Sequence, residues 1–172
     1  MKLIDFGFSK QLKDIKKDSL VTQCGTPTYT APEVMMGAKY NYKADLWSLG
    51  ILICELVGGF TPFSRQMSNK YDEGADPGVG LSPIKMIELA NSGSISLPRS
   101  LDKVTRDLIL KLLVPDPNQR LELAEVKSHR FFKPIDWSKA AARQLEPPYI
   151  PDEISYKETN AQPDLTRKES RK

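Results

Sequence analysis

The sequence has few of the residues that build metal sites or disulfide frameworks. It contains 2 cysteines and 1 histidine among 172 residues, and Cys24 and Cys54 lie far apart in the chain. A zinc site needs several cysteine or histidine ligands at short spacing, and disulfide-bonded domains need more cysteines than this. The composition therefore argues against both, and it favours a reducing, intracellular compartment such as the cytoplasm.

Strong charge and long apolar runs are also missing. The chain carries 25 Lys+Arg against 22 Asp+Glu, a net charge of +3, which is too weak to indicate a nucleic-acid or membrane partner. The most apolar run, residues 46–60, is too short to span a bilayer and includes Glu55. The N-terminus lacks the charged-then-apolar order of a secretion signal. The sequence therefore predicts a globular chain that binds neither nucleic acid nor membranes.

The apolar pattern predicts a mainly α-helical domain. The clearest helix is Ala44 to Val57, which is apolar on nearly every side and is therefore expected to be buried all round, with Gly58-Gly59 ending it. Shorter helices are predicted from Pro32 and over residues 83–91, 101–113 and 123–128.

The remaining segments predict one domain followed by a tail. Leu3-Ile4 is typical of the end of a buried strand, and residues 64–83, rich in Gly, Ser, Asn and Asp, predict a long surface loop. From Pro134 onward, proline and charge dominate. We therefore expect a domain over residues 1–133 and a tail over 134–172, disordered after about residue 156.

Four short motifs occur in order along the domain. They are D-F-G at 5–7, C-G-T-P-T-Y-T-A-P-E at 24–33, D-L-W-S-L-G at 45–50 and D-P-N-Q-R-L at 116–121. D-F-G followed by A-P-E, with hydroxyl residues between them, is a protein-kinase signature. The order and spacing resemble the C-terminal lobe of eukaryotic protein kinases. The residues of D-F-G-F-S-K, of H-R-F-F at 129–132 and of the tail resemble those of the AGC Ser/Thr kinases, particularly their cyclic-nucleotide-dependent members.

This resemblance implies a fold and an activity. The fold would be mainly α, the helical C-terminal lobe of the protein-kinase-like fold with the N-terminal lobe absent. The activity would be phosphoryl transfer from ATP to protein serine or threonine, with Asp5 holding Mg²⁺. Thr22 matches the activation-loop phosphorylation site and Lys10 a cation that pairs with its phosphate. The alternative for Thr22 is an ordinary exposed threonine, since Ser19 lies nearby.

The resemblance also implies substrate-binding residues. Thr26 matches a hydroxyl near the catalytic aspartate of Ser/Thr kinases, and Glu55 matches a glutamate that contacts substrate arginine. Protein substrates with basic Ser/Thr sites are therefore expected. A partly buried structural role for Glu55 is equally open, and Thr28 stands where a glutamate is usual, which puts the charge preference in doubt.

Three further residues are implied to be structural. Glu33 and Arg120 resemble a buried ion pair, so their side chains are expected within about 4 Å. Asp45 resembles the helix aspartate that holds the catalytic-loop backbone. An acidic residue near a helix N-terminus is also stabilised by the helix dipole alone, so that interpretation stays open for Asp45.

The rest of the phosphoryl-transfer machinery is missing from this sequence. Transfer needs a Gly-rich loop, a strand lysine and a catalytic-loop aspartate with an asparagine five residues later. No segment has these patterns; Arg106-Asp107 falls inside a predicted helix, and His129 is expected to be structural. No catalytic residue is therefore assigned, and the isolated chain is expected to be inactive.

Two interpretations of this absence are open. Because the predicted strand is cut at Met1, the chain is expected to be a piece of a longer gene product or a truncated gene reading, whose partner is the missing N-terminal lobe of the same chain. The alternative is a natural short protein, a catalytically dead kinase lobe that serves as a scaffold or docking module.

Overall fold

A computed structural model describes residues 4–14, 18–63 and 82–150 of the chain. Leu3, most of the predicted loop over 64–83 and the tail predicted to be disordered after residue 156 lie outside the described residues. The described residues divide into two compact units, one up to Pro134 and one from Ile135 onward. Within the described ranges, no helix has the length and apolar character needed to cross a membrane.

The described structure is mainly helical. The first unit contains α1 (Pro32–Met35), α2 (Lys43–Gly58), α3 (Pro83–Asn91), α4 (Lys103–Leu112), α5 (Leu123–Ser128) and a 3-10 turn at Arg130–Phe132; the second unit contains α6 (Trp137–Ala141). Each predicted helix is present, and α3 and α5 have the predicted bounds. Extended pairing among the described residues is limited to an isolated antiparallel bridge between Leu20 and Tyr40.

Local chemistry sets the ends of these helices. Asp102 starts α4 by accepting hydrogen bonds from the backbone of Val104 and Thr105, which is why α4 begins after the predicted Leu101. A further hydrogen bond from the Thr105 hydroxyl is the main cause that lowers the pKa of Asp102. At its C-terminal end, α2 is capped by Gly59, whose positive φ of 77° suits glycine.

The core of the first unit forms around α2. Trp47, Ile51 and Cys54 are fully buried, and α4 packs against them with Leu108 and Leu112. Gly50 allows this close approach, because a Cβ at that position would lie only 2.9 Å from the Cβ of Leu112. Burying a large apolar side chain contributes about 1.5–3 kcal/mol, so this side of α2 contributes substantially to the stability of the unit.

The expectation that α2 is buried all round is wrong. Leu52 is 43% exposed, Leu56 76% and Val57 52%. Asp45, Ser48, Leu52 and Leu56 recur at spacings of three and four residues and so share one side of the helix, which we call the open face. An apolar pattern reports which side chains can be buried, and the described helices cover only the opposite side of α2.

The predicted buried strand at Leu3-Ile4 is not borne out at its described residue. Ile4 is 83% exposed and belongs to no strand. A strand end is buried only when a neighbouring strand pairs with it, and the described residues provide no such ladder next to Ile4.

Candidate functional site

One cavity brings together half of the predicted site residues. It has a volume of about 600 Å³ and lies between residues 5–12, residues 20–34 and the first turns of α2. Asp5, Lys10, Thr26 and Asp45 line it. Thr22, Glu33, Glu55 and Arg120 do not line it.

Asp5 has an unusual backbone conformation at the edge of this cavity. Its φ is +61°, and its carboxylate accepts a hydrogen bond from the Gly7 amide at 3.3 Å. Residues other than glycine adopt positive φ infrequently, and such positions are concentrated at functional sites. The turn leaves the Asp5 side chain exposed, so its carboxylate is accessible to a cation.

The described residues fit only part of a magnesium–ATP site. Magnesium on a nucleotide takes one or two carboxylates, with phosphate oxygens and water as its other ligands. Asp5 can supply one such ligand. The described part of the chain holds no cluster of three or more His, Cys, Asp or Glu side chains suited to a metal. No described residue corresponds to a phosphate-binding lysine on a strand, so these residues alone do not form a complete site.

The loop over residues 26–30 is tied to α2 through Tyr29. The Tyr29 hydroxyl donates a hydrogen bond to Glu55, and the Ser48 hydroxyl donates to the Tyr29 carbonyl at 2.8 Å. The bond to Glu55 is the main cause that raises the pKa of Tyr29. Glu55 is therefore partly buried and already has a hydrogen-bond partner. The sequence motifs did not single out Tyr29 or Ser48, because their contacts depend on how the loop meets the helix.

Thr22 lies on an exposed stretch whose backbone is held by Tyr40. The Tyr40 hydroxyl donates to the Thr22 carbonyl at 2.7 Å. In the part of the chain that the structure describes, no hydrogen bond joins Thr22 to Lys10. The structure thus leaves the Thr22 side chain accessible while Lys10 faces the cavity.

Glu33 and Arg120 form a bidentate ion pair. Arg120 donates from its two terminal nitrogens to the two Glu33 oxygens, at 2.8 Å and 3.1 Å, which is within the predicted 4 Å. The Arg120 and Glu33 side chains are 0% and 8% exposed, respectively. The same guanidinium donates to the carbonyls of Val114, Lys43 and Pro115. Through Arg120, Glu33 is therefore connected to the start of α2 and to the segment that follows α4.

A second ion pair, absent from the motif-based assignment, extends this contact. The buried Lys43 ammonium lies 2.7 Å from Glu122 and also donates to the Arg120 carbonyl at 3.2 Å. The Tyr42 hydroxyl donates to Glu122 as well, and this bond is the main cause that raises the pKa of Tyr42 to about 12. The start of α2 is thereby joined to the start of α5.

Asp45 occupies the first turn of α2 and borders the cavity. Its side chain reaches solvent there, yet desolvation by the surrounding protein raises the pKa of its carboxyl. A position in the first turn is electrostatically favourable for an acid whatever its function. The geometry is therefore compatible with both interpretations of Asp45.

Comparison with known proteins agrees with the motifs. The family model described as protein kinase domain matches residues 1–132. The chain is 38% identical over 157 residues to cAMP-dependent protein kinase catalytic subunit 3 of Drosophila melanogaster, covering 88% of this chain and 24% of that protein. It is 39% identical over 156 residues to cAMP-dependent protein kinase catalytic subunit PRKX of Homo sapiens, covering 88% and 38%. Serine/threonine-protein kinase gad8 of Schizosaccharomyces pombe is 36% identical over 152 residues, covering 87% and 24%.

These relatives are Ser/Thr kinases of the AGC group, and the chain spans between about a quarter and two fifths of their length. Protein kinases as a family use ATP and Mg²⁺ and act on protein substrates. With a matched family model over most of the chain, a mainly helical structure and the four ordered motifs, the chain belongs to the protein kinase domain family, with AGC Ser/Thr kinases as its relatives.

Proposed function

We propose that this chain is the substrate-binding, C-terminal helical lobe of an AGC-like protein serine/threonine kinase. The observation that carries the proposal is the arrangement of the segment from Asp5 to Glu33. Asp5 and Thr26 both line one cavity, and Glu33 is fixed to the helical core by its ion pair with Arg120. The absence of any sheet among residues 4–14, 18–63 and 82–150 supports the assignment to the helical lobe.

The isolated chain should not transfer phosphate at a measurable rate. A general base alone typically contributes a factor of about 10²–10⁴, and this sequence contains no candidate for it. The missing groups would have to come from the rest of the kinase domain, including its N-terminal lobe. The open face has Leu52 and Leu56 exposed beside the cavity that Asp45 and Ser48 line, and we propose that part of this remaining domain packs there.

Substrate binding is proposed for Thr26 and Glu55. Thr26 borders the same cavity as Asp5, so a substrate hydroxyl approaching the cavity would meet it. Glu55 lies one helical turn before the end of α2, and its carboxylate keeps acceptor capacity beside the bond from Tyr29. A guanidinium from a basic substrate is the complementary partner, which supports basic Ser/Thr sites.

Regulation is proposed at Thr22. Its exposure makes it available for modification, and a phosphate there would carry about −1.5 to −2 charges at neutral pH. Lys10 is the proposed partner of that phosphate. The free thiols of Cys24 and Cys54 fit the reducing, cytoplasmic location that we also propose. Residues 134–172 are proposed to be an AGC-type C-terminal tail.

A chimeric kinase tests the function. In human PRKX, this chain would replace the matched 156 residues, and phosphate transfer from Mg-ATP to a basic serine peptide would be measured. We expect transfer by the chimera and none above a no-enzyme control by the isolated chain. Asp5→Asn should lower the chimera's rate by about 100-fold or more, since a metal ion supplies several kcal/mol of charge stabilisation.

The matched control is Glu88→Gln, which removes an exposed carboxylate on α3 that pairs with Lys85. It should leave the chimera's rate unchanged. A folded chimera that binds the peptide but transfers no phosphate would contradict the proposal, as would equal losses for Asp5→Asn and Glu88→Gln.

The second candidate is a catalytically dead scaffold or docking module. The exposed Leu52 and Leu56 favour it, because an apolar stripe on a helix is a common docking surface. An inactive chimera, together with a partner whose binding is lost on Leu56→Glu but kept on Asp5→Asn, would establish this second function in place of the first.

A further inference from the structure

Tyr40 makes three hydrogen bonds to the short stretch that contains Thr22. Its amide donates to the Leu20 carbonyl at 2.9 Å, and its carbonyl accepts from the Leu20 amide at 2.7 Å. Its hydroxyl donates to the Thr22 carbonyl at 2.7 Å. We call these three bonds the Tyr40 tether. They join residues 20–22 to the segment that leads directly into α2.

The tether fixes the backbone while leaving the side chains outside. The Tyr40 ring is partly buried and packs against the core of the first unit, so its hydroxyl is held by the fold. Val21 and Thr22 are exposed, as expected when a backbone is held along a surface. The anchored ring therefore determines where the Thr22 carbonyl lies.

Enzymes that modify a side chain usually bind several residues around it as an extended segment. A backbone already paired to its own domain must first be released, and the equilibrium for that release lowers the apparent rate. The hydroxyl of Tyr40 is the one part of the tether that a substitution can remove while both backbone bonds are kept.

We propose that Tyr40 is a positioning residue that restrains residues 20–22 and so limits how readily Thr22 is phosphorylated by another enzyme molecule. This inference rests on the proposed regulatory role of Thr22. Tyr40 lies outside the D-F-G to A-P-E segment, and the inference is that it controls the accessibility of a site within that segment. Release of the Tyr40 tether is then a step that precedes phosphorylation.

The test compares Tyr40→Phe with Tyr42→Phe in the full 172-residue chain. Each variant loses one phenolic hydroxyl two residues from the other, but the Tyr42 hydroxyl bonds Glu122 and does not contact residues 20–22. Amide hydrogen exchange of a peptide covering residues 20–24 is measured first. The rate of phosphate incorporation at Thr22 by human PRKX and Mg-ATP is measured second, by mass spectrometry.

Tyr40→Phe should accelerate both exchange and phosphorylation about fivefold, the factor that corresponds to one net hydrogen bond. The increase in phosphorylation should appear as a lower KM for the chain, with kcat unchanged. The thermal unfolding midpoint should fall by only a few degrees, the shift that about 1 kcal/mol causes in a domain of this size. Tyr42→Phe should behave as the unsubstituted chain in the exchange of residues 20–24 and in Thr22 phosphorylation.

Three results would overturn the inference. Unchanged exchange in Tyr40→Phe would mean that the hydroxyl restrains nothing. Faster exchange without faster phosphorylation would mean that the restraint does not limit the enzyme, and the proposed role of Thr22 would survive. No phosphate at Thr22 in any variant would remove the inference together with that regulatory role.

Discussion

The two sides of α2 differ in how much of their surface the described residues cover. On one side, Trp47, Gly50 and Ile51 are buried in the core, where α4 packs against Gly50 and Arg120 lies 5.2 Å over the Trp47 ring. On the other side, the open face passes from Asp45 and Ser48 at the cavity to the exposed Leu52 and Leu56. The same helix is thus the centre of a core on one side and a bare surface on the other.

This difference separates residues that stabilise the fold from residues that are proposed to take part in phosphate transfer. The segment from Asp5 to Glu33 follows the same division, because Glu33 is buried against Arg120 while Asp5 is exposed. The covered side can be tested by its effect on unfolding in the chain itself. The open face should affect activity only when other residues of the kinase domain cover it. Substitutions there should therefore barely change the free energy of unfolding of the chain.

The largest effect is expected for Arg120→Met. Removing the guanidinium leaves Glu33 buried without its partner and three carbonyl groups without their donor. Breaking one member of a buried pair typically costs about 3–5 kcal/mol, so the free energy of unfolding should fall by that amount in urea denaturation. Such a loss is a large fraction of the stability of an ordinary domain.

A double variant sharpens this result. Replacing both members, with Glu33→Leu and Arg120→Met, should cost less than Arg120→Met alone, because no unpaired charge remains. If the double variant loses as much unfolding free energy as Arg120→Met, or more, then the two charges are not coupled. The effect of Arg120 would in that case come from its contacts with the carbonyl groups.

The next effect is expected for Gly50→Ala. Alanine favours helices over glycine by about 1 kcal/mol, but its methyl group would lie 2.9 Å from Leu112. Overpacking a core typically costs about 1–3 kcal/mol, so the unfolding midpoint in urea should fall in spite of the helix preference. A rise in the midpoint would show that α4 can move away from α2 at little cost.

The matched comparison for Gly50→Ala is Gly93→Ala. Gly93 lies outside the core, and a methyl group added there would meet no atom within 4 Å, although its φ of +65° favours glycine. Gly93→Ala therefore reports the cost of the backbone conformation without a packing clash, and Gly50→Ala reports the clash without a positive φ.

A smaller, pH-dependent effect is expected from Tyr42. The bond to Glu122 raises its pKa to about 12, above the ordinary value of 10.0, so the folded state favours the protonated phenol. This contribution is complete below pH 10 and is lost as the pH rises toward about 12. The unfolding free energy of the unsubstituted chain should therefore fall more steeply across this interval than that of Tyr42→Phe. Parallel curves would contradict the assignment of the shift to Tyr42.

Local chemistry explains why several helices could be predicted from sequence. Pro83 and the Ser82 side chain start α3, so its bounds followed from residues adjacent in the chain. The partnership of Glu33 and Arg120, 87 residues apart, came from the family resemblance, because no local pattern joins residues at that separation. The roles of Asp5, Thr22 and Thr26 stay predictions.

Other features could not have been predicted from this sequence. The Leu20–Tyr40 bridge is a single pair of backbone bonds, which leaves no periodic pattern in the side chains. The exposure of Leu56 was missed for a different reason. Hydrophobicity indicates a tendency to be buried, while actual burial depends on which segments are present to cover the side chain.

The smallest effect on stability is expected for Leu56→Glu on the open face. The side chain is 76% exposed, so the unfolding free energy should change by no more than about 0.5 kcal/mol. Self-association at high concentration should fall, because the substitution interrupts the apolar stripe that Leu52 and Leu56 form. In the PRKX chimera, the same substitution should lower activity, since a charge would then lie where the rest of the kinase domain is proposed to pack. Light scattering and urea denaturation separate these effects, and a destabilisation as large as that of Gly50→Ala would mean that Leu56 belongs to the covered side of α2.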